Sequence, residues 1–278
     1  MGGVNTANIA FIGFGEVGQT FARGFLKHEG VRISAHDILA GSAAGARLAD
    51  QAASIGVTWC TAPENAAQDA DFIFSAVTAS QAEAVAAAAV AWIKPGQIFV
   101  DINSAAPSTK MRAAQMIAAS GAAYIEAAVM APVLKPGLQV PILSGGPFAA
   151  AASQRLNALG MNLTPVSDEY GIASAMKLCR SIIIKGIEAL MVDCAKASEC
   201  WGVKDDVFSS LQATFPAIDF HALAADMRER VATHGVRRAA EMAEAGEMLA
   251  ALGINPDLAY AVSAAQLRGA KPKNGGEG

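Results

Sequence analysis

The sequence predicts an α/β N-terminal domain built on a doubly wound sheet, followed by an all-α C-terminal domain, with a long interdomain helix joining them. Three observations predict it. Short apolar runs alternate with Ala-rich helical stretches from residue 8 to about 167. No strand-like run follows Val166. The stretch "SDEYGIASAMKLCRSIIIKGIEALMVDCAKASECWG" reads as a single helix of about nine turns.

The strand candidates are, in order, "NIAFIG", "VRISA", "VTWC", "DFIFSAV", "QIFVDI", "AYIEAAV", "VPILSG" and "NLTPV". They are short and apolar at successive positions, so both faces are covered, as in parallel strands flanked by helices. Between them, 16–28, 44–55, 80–93, 108–120 and 147–159 are each long enough for a helix. Such alternation makes βαβ units. Pro95-Gly96 and Gly145-Gly146 mark breaks between elements. Ser167 or Asp168 suits the N-cap of the long helix and Gly202 its end. Further helices are expected over 204–214, 219–233, 236–252 and 256–268. The domains are therefore expected at 1–167 and 168–268. The tail 269–278, "GAKPKNGGEG", has no apolar anchor beyond Ala270 and is expected to be disordered. There is no internal repeat.

Composition limits the function classes. Hydrophobic residues make up 53% of the 278 and charged residues 17%, which fits a compact soluble protein. A net charge of −4 argues against a nucleic-acid partner, because phosphate binding needs a basic face. Cys60, Cys179, Cys194 and Cys200 form no C-x-x-C pair, and no His cluster has metal-ligand spacing, so no metal is expected. They read as reduced thiols of a cytoplasmic protein. No basic region, apolar stretch and cleavage site open the chain, and no signal peptide is expected. No uncharged apolar run reaches the ~18 residues that suggest a membrane span.

"NIAFIGFGEVGQTFARGFL" carries Gly13-Phe14-Gly15-Glu16-Val17-Gly18. Alone, G-x-G-x-x-G is weak, but here a strand runs into it and an amphipathic helix leaves it, the context of a Rossmann-type dinucleotide site. Gly13 permits the tight turn, Gly15 lets a pyrophosphate approach, and Gly18 lets the helix pack on the strand. The second strand ends at Asp37, nineteen residues after Gly18. A carboxylate there accepts from the ribose hydroxyls and repels a 2′-phosphate, which favours NAD; Arg47 is a rival cation that keeps NADP open. Val77 and Thr78, after the fourth strand, are placed to flank the cofactor. Asn103 and Ser104, after the fifth, are short polar groups suited to a substrate hydroxyl or carboxylate, although Ser104 suits a helix start equally well.

Lys177 stands in an otherwise apolar helix, and a lysine is rarely buried without a reason. Positions 173, 177, 180/181, 184 and 188 form one stripe, a narrow polar seam carrying Lys177 and Ser181. If it faces the cleft, Lys177 can take the hydroxyl proton as hydride leaves carbon, and Ser181 can hold substrate. Pairing with an acid on a surface seam is the equal alternative.

These residues resemble the β-hydroxyacid dehydrogenases, a family that includes 3-hydroxyisobutyrate dehydrogenase, tartronate semialdehyde reductase and 6-phosphogluconate dehydrogenase. The resemblance covers about residues 8–268. It rests on "GFGEVG", on "DINSAAPS" and on the G-x5-K element Gly171…Lys177. It implies an NAD(P)-dependent dehydrogenase or reductase acting on CH–OH. Such an enzyme interconverts a small β-hydroxy acid or related polyol acid and its keto or semialdehyde form, with Lys177 as general acid/base. Two departures bear on substrate: Ser181 stands where the family usually has Asn, and Met130-Ala131-Pro132 stand where it has Ser-Gly-Gly in "D-A-P-V-S-G-G". Pro132 has no N–H to offer a carboxylate. The segment "ATHGVRRAAEMAEAGEMLAALGINP" looks like a branch with a phosphogluconate-dehydrogenase-like C-terminal domain. There His234 and Arg237 or Arg238 are candidates for an acidic substrate, or else a solvated face paired with Glu241. The family also implies a homodimer through the helical domain. An imine reductase and a non-catalytic dinucleotide sensor are the rival readings.

Overall fold

The structure, a computed structural model, describes residues 6–271. It divides into two compact units, Met1–Lys177 and Leu178–Gly278. The first is an eight-stranded sheet of β1 (Ala7–Ile12), β2 (Val31–His36), β3 (Thr58–Trp59), β4 (Phe72–Ser75), β5 (Ile98–Asp101), β6 (Ala123–Val129), β7 (Pro141–Gly145) and β8 (Asn162–Ser167). The order is β3-β2-β1-β4-β5-β6-β7-β8. Every pair is parallel except β6 with β7. All eight strand candidates form; the central β4 and β5 bury every residue, whereas β3 and β8, at the two edges of the sheet, are partly exposed. In β1, Ile9 and Phe11 enter one apolar layer while Ala10 and Ile12 enter the other. The chain runs outward from β1 to β3, then returns to β4 on the other side of β1. That reversal is a topological switch point, where sheets of this kind leave a crevice at the carboxyl ends of their strands.

Helices α1 (Glu16–Phe25), α2 (Ala43–Ser54), α4 (Ala82–Ala89), α5 (Pro107–Ala118) and α6 (Ala149–Ala158) match the expected stretches, and a short α3 (Pro63–Ala67) joins them. The long helix α7 runs from Ile172 to Trp201. It starts later than Ser167 or Asp168 because β8 continues through Ser167 and Gly171 turns the chain at φ +92°.

The second unit contains the rest of α7 with α8 (Lys204–Thr214), α9 (Phe220–Ala251) and α10 (Asp257–Gly269). Its apolar core holds Met191, Ala195, Phe208, Phe220, Ala224 and Met227. The sequence predicts two helices over 219–233 and 236–252, but the structure has one. Gly235 lies inside it and allows close packing: a Cβ there would sit 2.4 Å from the Gln266 carbonyl oxygen of α10. Glycine costs roughly 1 kcal/mol of helix propensity, and that close packing answers it. Part of the expected disordered tail is also ordered. Gly269 ends α10, and the Lys271 N–H donates to the Ala232 carbonyl at 3.0 Å. Residues 272–278 of that tail lie outside the described residues. Among the described residues, no helix is long and apolar enough to cross a membrane.

Candidate active site

Gly13 and Gly18 are each required for a different spatial reason, while Gly15 faces open space. Gly13 has φ +92°, and a Cβ on it would lie 2.4 Å from the Ala76 carbonyl oxygen. The loop and the end of β4 are thus in direct contact. A Cβ on Gly18 would lie 2.8 Å from the Gly13 carbonyl oxygen and close to Phe11 and Phe14. A Cβ on Gly15 would meet nothing within 4 Å. The space above Gly15 is therefore open, at the N-terminus of α1, where no side chain caps the helix. Free N–H groups and the positive end of the helix dipole face that space, which fits a pyrophosphate. Asp37 closes the arrangement: one carboxylate oxygen accepts from the Phe14 N–H at 2.9 Å and the other from the Leu39 N–H at 3.0 Å. A carboxylate offers about four acceptor positions, so two stay available to ribose hydroxyls. The residues present fit a dinucleotide.

Behind this loop lies a buried polar network that was not anticipated. Asp101, at the end of β5, and Lys110, on α5, are fully buried and paired at 2.7 Å. The same Asp101 oxygen accepts from the Asn103 side-chain amide at 2.7 Å and its backbone N–H at 3.0 Å. The other oxygen accepts from the Tyr124 hydroxyl at 2.7 Å. Burial, then the adjacent Asp101, pushes the Tyr124 phenol well above its ordinary pKa, so it remains a donor. Asn103 also donates to Ser75 Oγ at 2.9 Å and accepts from the Val77 N–H at 2.7 Å. Both of its donors are consumed, so it acts as a staple between the loops after β4 and β5 and sets Val77 beside Gly13. Thr78, next in that loop, is exposed and pairs with Ser80 at 3.2 Å. Ser104 differs: its hydroxyl oxygen is buried and has no hydrogen-bond partner. A shielded polar atom without a partner in a ligand-facing loop calls for an explanation.

The start of α7 belongs to the same unit. A Cβ on Gly171 would sit 3.2 Å from Pro107, the first residue of α5, directly after the Asn103–Ala106 loop. Glu126, fully buried in the middle of β6, accepts from the Ala173 N–H at 2.9 Å and from the Ser174 hydroxyl at 2.9 Å. Burial pushes the Glu126 carboxyl up, opposed by those bonds and by the Lys110 charge. Gly146 makes room for this corner, since a Cβ there would lie 2.2 Å from the Tyr170 ring. Lys177 follows Ala173 by one turn and is half-buried.

Residues 8–105 match the family described as NADP oxidoreductase, coenzyme F420-dependent, and 199–268 match a domain of unknown function, DUF1932. A conserved hypothetical protein from Sinorhizobium meliloti 1021 is 37% identical, with a TM-score of 0.81 over 98% of this chain and 92% of that one. A conserved protein of unknown function, whose structure is described as similar to 3-hydroxyacid dehydrogenases, is 30% identical, with a TM-score of 0.74 over 94% and 99%. The chain belongs to the 3-hydroxyacid dehydrogenase-like family. A 3-hydroxyisobutyrate dehydrogenase of Mycobacterium tuberculosis shares this family's fold at 15% identity, with a TM-score of 0.78 over 95% and 93%.

Further candidate residues fall in the helical unit. Ser181 is buried there and accepts from the Lys185 ammonium at 3.0 Å. Lys185 in turn pairs with Glu241 at 2.6 Å. The polar seam thus continues into Lys185, which the stripe 173, 177, 180/181, 184, 188 passes over. Arg237 is exposed and pairs with Glu241 at 3.0 Å, the solvated-face alternative. Arg238 turns inward to Glu188 at 2.6 Å. His234 is exposed on α9. The segment after β6 differs from the family pattern in its donors: the Met130 N–H donates to the Pro141 carbonyl at 2.9 Å, and Pro132 has none.

Proposed function

We propose that this chain is an NAD(P)-dependent oxidoreductase interconverting a small β-hydroxy acid or related polyol acid and its keto or semialdehyde form. The observation that carries this reading is the docking of the start of α7 on Pro107. It brings the lysine-bearing helix to the loop that holds Asn103 and Ser104, within the unit that carries the glycine loop. The glycine loop and α1 hold the pyrophosphate, Asp37 the adenosine ribose, and Val77 with Thr78 the nicotinamide side. When bound, the nicotinamide supplies the acceptor or donor of hydride. Lys177, as the neutral amine, takes the hydroxyl proton during oxidation and, as the ammonium, returns it during reduction. The unpartnered Ser104 hydroxyl binds a substrate oxygen. A panel of C3–C6 hydroxy acids scored by NADH fluorescence tests the activity. Turnover of cyclic imines with none of the acids would replace it by imine reduction, and tight NADH binding without any turnover by a sensor.

Asp37 is proposed to favour NAD. Replacing it by Ala removes acceptors for ribose hydroxyls and is expected to weaken NADH binding roughly tenfold or more and NADPH binding less. Fluorescence titration of both nucleotides gives the ratio, and an unchanged ratio rejects the selection. The second unit is proposed to carry a homodimer contact. Cys179, Ile183, Ile187 and Leu190 form an exposed, largely apolar stripe along α7, with Leu190 71% accessible. Sedimentation velocity at micromolar concentration decides it, and a monomer would reject the contact.

A further inference from the structure

We infer that Glu126 is the remote N-cap of α7 and, on the reading that Lys177 is the acid/base, the residue that positions it. The need arises from Gly171. Its carbonyl accepts the first helical bond, from the Ala175 N–H at 2.8 Å, so Gly171 occupies the N-cap position. Its φ of +92° and the closeness of Pro107 disfavour a side chain there. Glycine has no side-chain oxygen with which to cap, and the first turn of a helix has free N–H groups to satisfy. Glu126 supplies the missing acceptor from another element. It accepts from the second helical residue, Ala173, and from the hydroxyl of the third, Ser174. Ala173 and Ser174 precede Lys177 by four and three positions, the two spacings that place residues on one helix face. Glu126 therefore fixes the depth and rotation of the turn directly beneath the lysine. The pocket around the cap is built for it: a Cβ on Gly145 would lie 2.5 Å from a Glu126 carboxylate oxygen, and Lys110, Tyr124 and Tyr170 are the titratable groups facing it.

The test compares Glu126→Gln, Glu126→Leu and Ser174→Ala by hydrogen exchange over residues 172–177, NADH affinity, and kcat and KM for the best acid of the panel. Gln keeps an acceptor for Ala173 and donates to Ser174, so it should keep the wild-type exchange and most of kcat. Leu fills similar space without capping. Exchange should rise at least tenfold and kcat fall roughly tenfold to a hundredfold, because misplacement by an ångström carries a cost of that size. NADH affinity and KM should stay near wild type. Ser174→Ala removes the hydroxyl bond while the backbone bonds to Glu126 remain, and should change exchange and kcat less, in the same direction, which decides the matter if the Leu variant does not fold. Unchanged exchange in folded Leu and Ala variants overturns the inference, as does raised exchange with full kcat where Lys177→Met is inactive. If Lys177→Met keeps full turnover, the catalytic reading falls while the exchange arm still decides the cap.

Discussion

Replacing Lys177 by Met is expected to lower kcat by about 10²- to 10⁴-fold, the usual contribution of a positioned acid or base. NADH affinity should be unchanged, because the glycine loop and Asp37, which carry the proposed nucleotide contacts, lie on β1, α1 and the end of β2. Met keeps the unbranched stem and the helix propensity, so the loss isolates the amine. The sign of the pH dependence follows from proton bookkeeping. Oxidation needs the neutral amine and should rise with pH through the lysine's pKa, while reduction needs the ammonium and should fall over the same range. Both limbs should vanish in the variant. Undiminished kcat in Lys177→Met, or wild-type limbs persisting in it, would reject the role.

The central strands of the sheet were legible in the sequence because burial of both faces leaves a mark on every position of β4 and β5. "DFIFSAV" and "QIFVDI" have few residues that suit any other environment. The glycine loop was legible because the missing Cβ atoms of Gly13 and Gly18 answer local constraints, set within residues 13–18 and the end of the neighbouring strand. Asn103 was located but its task was not, since its partners Ser75 and Val77 lie 28 and 26 residues away in sequence. Glu126 was missed for the same reason, since Ala173 and Ser174 lie 47 and 48 residues away, and Asp101 was missed although Lys110 is only nine residues away. Their signal was present: each is a single carboxylate in a run of apolar strand residues, and a fully buried charge implies a partner. The partner of Glu126 is the start of α7, distant in sequence, whereas Lys110 reaches Asp101 through the β5–α5 connection. In α9, Gly235 resembles a break by propensity, whereas close packing against α10 overrides it.

The largest expected effect on stability is at Asp101. Replacing it by Asn leaves the Lys110 ammonium buried without its counter-charge, and breaking one side of such a pair costs about 3–5 kcal/mol. Lys110→Met is less damaging, because the Asp101 carboxylate keeps the Asn103 amide, the Asn103 backbone N–H and the Tyr124 hydroxyl. A loss of about 1–3 kcal/mol is expected there, that of an under-satisfied buried acceptor. The double variant should be more stable than Asp101→Asn alone, since it removes the orphaned charge. Tryptophan fluorescence in urea reads this cleanly: Trp59 and Trp92 are partly buried in the sheet unit, while Trp201 is exposed in the other. Nucleotide binding should follow stability in sign. Asn103 holds Val77 in place while leaning on Asp101, so Asp101→Asn should also weaken NADH binding under conditions where the protein is still folded. A loss below about 1 kcal/mol in Asp101→Asn, or a double variant weaker than both single ones, would mean that the pair does not carry the junction of β5 and α5.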